Sequence, residues 1–137
     1  MKGHVRLRLA GALALGSVML AAVGCGGIAD PTKNPVETFT GTIQPGGYAF
    51  HPFKVSKQGE YSVTLVSLTP PASVFVFVWL GTTLGDQCFI SSQRNPQASP
   101  GRVALVGPIS PGNYCVAVED LGAFTVPETY TVQISHP

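Results

Sequence analysis

Charge is scarce in this sequence. Of 137 residues only 11% are Asp, Glu, Lys or Arg, against about a quarter in an ordinary soluble domain. Eight Lys and Arg cannot build a basic stripe, which excludes nucleic-acid binding by phosphate neutralisation. Intrinsic disorder needs high charge and few apolar residues, and the 45% apolar content points the other way. Catalytic signatures are missing too: no G-x-S-x-G, H-E-x-x-H, P-loop or G-x-G-x-x-G occurs. No segment shows an apolar stripe at helical spacing. Glu119-Asp120 is the one adjacent acidic pair. Neighbours in a strand face opposite ways, so it makes a poor general acid/base couple, and the expectation is solvated charge at a strand end. An enzyme is not expected, and neither is a cofactor or a metal. Two Cys and scattered His supply too few soft ligands, and Asp86 and Glu128 too few oxygens for a hard cation.

What the sequence does contain begins with an address. Lys2, Arg6 and Arg8 precede a run without charge that extends from Leu9 to Ala29. This is the pattern of a signal peptide. It passes through Leu20-Ala21-Ala22-Val23-Gly24-Cys25, small residues before a Cys that resemble a bacterial lipobox. Cleavage before Cys25 would remove residues 1–24 and leave 113 residues with five cations and seven anions. Acyl chains on Cys25 would then hold the protein to a membrane. Gly26 rather than Asp after the Cys favours the outer membrane, where the organism has one. An uncleaved anchor and an ordinary secretory signal are the alternatives. Residues 25–35, with Gly26-Gly27, Asp30-Pro31 and Asn34-Pro35, read as the lipidated Cys and its tether.

The remainder, 36–137, reads as one domain. Sixteen Gly and twelve Pro suit short strands joined by turns. From Val36 the apolar period is 2, with Phe39, Gly41 and Ile43 alternating with threonines. Strands follow over 48–55, where Pro52 marks an edge or a bulge, and around Tyr61, Val63 and Leu65. The run 73–80, SVFVFVWL, is apolar on both faces, as in a central strand or one whose outer face is covered. A short strand near 87–90, a polar loop over 93–101, and strands over 102–109, 113–119 and 129–135 complete about eight. All-β architecture follows: an antiparallel β-sandwich. The octapeptide GTIQPGGY (41–48) is echoed by GPISPGNY (107–114) at five of eight positions. Either one turn chemistry is used twice or half of a two-fold sandwich is repeated.

With Cys25 lipidated, Cys88 and Cys115 remain as an even pair in an oxidising compartment. Cys115 alternates with Tyr114 and Val116, so a disulfide on the outer face or at a rim is expected. The histidines left are His51, in a strand, and His136, next to the C-terminus and expected to be exposed. Tyr48, His51 and Trp79 are the candidate ligand contacts. Trp79, the single Trp, sits in so apolar a strand that a core position is the expectation for it.

The run G-x-I-x-P-G-G-Y-x-F-x-x-F-x-V-x-x-x-G-x-Y-x-V-x-L over 41–65 resembles the opening of bacterial pre-peptidase C-terminal domains. Pro111-Gly112-Asn113-Tyr114 with Val116 and Val118, then Tyr130-Thr131-Val132, is similar to that family's closing hairpin. The resemblance covers about 100 residues, 37–135, and implies a jelly-roll-like sandwich of a kind usually appended to exported enzymes. Some members bind matrix polymers or calcium. Two departures remove acidic residues: Ala49 and His51 flank Phe50 where the family often has Asp, and Pro70-Pro71-Ala72-Ser73 replaces an Asp-rich stretch. The expectation is therefore a non-catalytic lipoprotein presenting a binding module to a polysaccharide or an envelope protein. The alternatives are a structural subunit with strand 73–80 as its interface, and an unrecognised secreted enzyme.

Overall fold

The computed structural model describes residues 31–70 and 75–137. Cys25, the lipobox and residues 71–74 lie outside the described residues. A 3-10 turn, Pro31–Lys33, precedes eight strands: β1 Val36–Ile43, β2 Tyr48–Val55, β3 Gly59–Thr69, β4 Val76–Leu84, β5 Gln87–Ala98, β6 Arg102–Ile109, β7 Gly112–Glu119 and β8 Glu128–Ser135. The end of the expected tether is laid on the domain, where Asn34 Nδ2 donates to the Glu60 carbonyl at 2.8 Å.

The strands form two four-stranded antiparallel sheets, ordered β1-β8-β3-β6 and β2-β7-β4-β5. The pairing is nested. β1 pairs with β8, β2 with β7, β3 with β6 and β4 with β5. One long hairpin is thus rolled up on itself, and the rolling adds the pairs β3–β8 and β4–β7. This is a jelly roll. Its tip is the β4–β5 turn, where Gly85 takes φ +58° and Asp86 does not follow it to positive φ, the pattern of a type II′ hairpin.

The period-2 patterns decide what fills the roll. Inward residues of one sheet (Ile43, Tyr61, Val63, Leu65, Tyr130, Val132, Ile134) meet those of the other (Phe53, Val55, Val76, Val78, Val116, Val118). Most of these side chains are almost wholly buried, and each contributes roughly 1.5–3 kcal/mol relative to exposure. Pro52 lies on β2, an edge strand of its sheet, where a residue without an N–H is tolerated.

The 41–48 and 107–114 echo has a structural counterpart. Each copy carries the chain from the first sheet to the second, β1 to β2 and β6 to β7. Gly41 and Gly107 each lie opposite a tyrosine, Tyr130 and Tyr61. A Cβ on Gly41 would stand 2.6 Å from the Tyr130 hydroxyl. Exchanging β1 with β6 and β8 with β3 maps the first sheet on itself. The second sheet does not follow, because β2 and β7 are neighbours. The turns differ as well. Gly46 has φ +71° after Pro45 and Gly47 N–H donates to the Gln44 carbonyl, whereas Gly112 stays outside the positive-φ region.

Several local expectations are corrected. The polar stretch 93–101 is not a loop over most of its length. β5 continues to Ala98, pairing Trp79 with Arg94, Val78 with Asn95 and Val76 with Ala98 across two irregularities. Side chains stitch these bulges: Ser91 Oγ donates to the Leu80 carbonyl at 2.7 Å, and Asn95 Nδ2 to that of Ala104 at 3.0 Å. The described part of the 73–80 run enters its strand at Val76 and is central in its sheet. His136 is not exposed. It is buried beside Phe53, with Nε2 2.7 Å from Glu37 Oε1.

Candidate functional site

The outer face of the β2-β7-β4-β5 sheet carries the site. Register sets Tyr48 on β2, Glu119 on β7 and Phe77 on β4 side by side. The next outward row is Phe50, Ala117 and Trp79. Ala117 is small and wholly buried, flanked in register by the two aromatics. The row after that is Pro52, Cys115 and Gly81.

Next to Gly81 β5 bulges against β4. Between the pairs Gly81–Ile90 and Trp79–Arg94, β5 has three residues where β4 has one. The Phe89 carbonyl lies so close that a Cβ on Gly81 would clash with it and would meet Cys115 Sγ at 3.1 Å. The Cys88–Cys115 disulfide, with Cα atoms 5.9 Å apart, closes over this point. It links β5 to β7, the two strands flanking β4, on the face turned away from the core. The expected pairing and its expected face are both observed.

The result is a groove of about 480 Å³ lined by Tyr48, Phe77, Trp79, Cys88, Phe89, Ile90 and Glu119. Tyr48 is 61% exposed and Phe89 and Ile90 are each 48% exposed, while Trp79 is 6% exposed. Trp79 is therefore buried as expected, but not in the inter-sheet core. It packs on the outer face, and its Nε1–H donates to Glu119 Oε2 at 3.0 Å. One carboxylate is thus held among aromatic and aliphatic walls. Among the described residues no basic group pairs with it.

Of the three candidate contacts, Tyr48 and Trp79 come together in this groove and His51 does not. His51 faces inward near the β1–β8 edge. It stacks on Phe39, with ring centroids 4.8 Å apart at 15°, and its Nε2 lies 2.7 Å from the Tyr130 hydroxyl. Burial holds its pKa below the ordinary 6.5 and pushes Tyr130 up to about 12. The pair joins the two sheets as neutral groups.

Asp120 is a position that sequence reasoning misassigned. It is 3% exposed rather than solvated. Its Oδ1 accepts from the N–H groups of Gly122 at 3.0 Å and Ala123 at 2.7 Å, and its Oδ2 from Gly46 at 2.7 Å. The Phe124 N–H is shared between both oxygens. Burial pushes the carboxyl pKa up, but these donors outweigh it and hold the pKa below the ordinary value. Asp-x-Gly at 120–122 is the available sequence signal for such a turn. Asp120 ties the β7–β8 connection to the β1–β2 turn and so fixes the end of the groove where Tyr48 and Glu119 sit.

Among the described residues no three His, Cys, Asp or Glu side chains converge as a metal site. Asp86 lies exposed at the β4–β5 turn and Glu128 is buried at the start of β8. No protein-family model matches the chain, and no curated protein matches it.

Proposed function

We propose that the protein is a non-catalytic, exported bacterial lipoprotein, anchored by acyl chains on Cys25, whose jelly roll is a stand-alone relative of pre-peptidase C-terminal domains. Its work is binding. The module presents its outer face to a polymer or protein of the cell envelope. One observation carries this reading: the groove places Tyr48, Phe89 and Ile90, all substantially exposed, around Trp79 and Glu119. Exposed apolar surface focused on one polar group fits ligand contact better than solvation. Among the described residues the groove holds a single carboxylate and no second acid, which supports binding over paired-carboxylate catalysis.

The anchor is tested by labelling cells with radioactive palmitate. The full chain is expected to incorporate label and Cys25→Ala to lose it. An unlabelled wild-type chain would overturn the anchor.

A structural-subunit reading draws on Phe75, 53% exposed, ahead of Phe77 and Trp79. A monomer in detergent is expected for the binding module; a stable oligomer buried through β4 would favour the subunit.

A further inference from the structure

The groove has a polarity that narrows its ligand. Its polar side-chain capacity is one carboxylate and one phenol, because the Trp79 N–H is already spent on Glu119 Oε2. A sugar ring brings several hydroxyls, each of which needs a partner once desolvated. Those partners are not there. An alkylammonium asks for something different: apolar wall along its stem, aromatic faces near its head and one anionic oxygen. These are what Phe89, Ile90, Tyr48, Trp79 and Glu119 supply. An arginine fork would take both carboxylate oxygens, one of which already accepts from the Trp79 N–H. Glu119 has no ion-pair partner among the described residues, so its charge is open to a cation.

Building on the reading of this groove as a binding surface, we propose that it receives a lysine side chain of a partner polypeptide. The methylene stem lies along Phe89 and Ile90. The ammonium meets the Tyr48 ring and the remaining oxygen of Glu119, beside the small exposed part of Trp79. The volume of about 480 Å³ exceeds one side chain and leaves room for the residues flanking that lysine.

Trp79 is the only tryptophan, so intrinsic fluorescence of the full chain in detergent reports the groove alone. Three probes separate the outcomes: acetyl-Ala-Lys-Ala-amide, the same peptide with its lysine Nε-acetylated, and a neutral N-acetylglucosamine trimer. The lysine peptide is expected to shift Trp79 emission saturably, about tenfold more tightly than the acetylated peptide, with affinity falling as salt rises. Glu119→Gln keeps the shape and an acceptor for Trp79, and is expected to remove that tenfold preference. Tyr48→Ala, at an exposed position that folding does not depend on, is expected to weaken lysine-peptide binding several-fold. Equal binding of the two peptides, or no response to either, overturns the lysine assignment. If the trimer then saturates, the binding-module reading stands with a glycan ligand. If none of the three probes responds, the groove loses its support as a ligand site as well.

Discussion

Asp120 shows how one side chain can organise two segments. Its carboxylate collects N–H groups from Gly46, Gly122, Ala123 and Phe124, and in a buried site each such donor would otherwise be left unpaired. Asp120→Asn replaces an acceptor-only group with one that also carries an NH₂ facing donors. We expect it to cost about 2 kcal/mol at neutral pH. Because the folded-state pKa lies below the ordinary 3.8, the carboxylate's contribution is complete above that value and is lost as pH falls through the lowered one. The stability gap between wild type and Asp120→Asn, read from urea unfolding across pH, is therefore expected to shrink in acid and hold constant above about pH 5. Only the Asp-x-Gly turn was visible locally. The Gly46 amide is 74 positions away in sequence, and an acidic pair at a strand end looks the same whether water or backbone solvates it. His136 eluded sequence reading for the same reason, since its partner Glu37 is 99 positions distant.

At the scale of elements, β4 and β5 decide the site. The apolar run ending at Leu80 announced a central strand, because composition alone separates two-sided burial from alternation. The length of β5 was hidden: Gln93 to Ala98 is polar and contains Pro96, and its pairing depends on bulges that no periodicity marks. Gly81 permits those bulges to close against β4. Gly81→Ala drives a Cβ into the Phe89 backbone carbonyl, a neighbour that cannot swing away. The expected outcome is loss of the Cys88–Cys115 bond in a substantial fraction of molecules. The stability loss should be comparable to or larger than the roughly 3.5 kcal/mol attributed to closing a loop of 27 residues. Thiol counting under denaturing conditions, together with thermal unfolding, checks both. Retention of the disulfide with unchanged stability would show that β5 does not need the close approach at Gly81.

Across the whole molecule, nested pairing of β1 with β8 through β4 with β5 gives a sandwich with one face unlike the others. The sheet containing β1 shows threonine pairs to solvent, Thr40 with Thr131 and Thr42 with Thr129. The sheet containing β2 shows aromatic rings, a buried alanine and a carboxylate. The strand pattern made the sandwich and most of its inward residues legible, because alternation and burial obey one rule. The groove was legible only in its ingredients, Tyr48 and Trp79. Their meeting depends on the order β2-β7-β4, which no local signal specifies. The low charge of the sequence thus acquires a location: the lysine-binding assignment places one carboxylate without an ion-pair partner among the aromatic and aliphatic side chains of the groove. Amide chemical-shift mapping of the isotope-labelled chain with the lysine peptide tests this most directly. Shifts concentrated at residues 48–50, 77–81, 88–90 and 115–119 are the expected result; shifts centred on the β1-β8-β3-β6 sheet, or no shifts at saturating peptide, would contradict it.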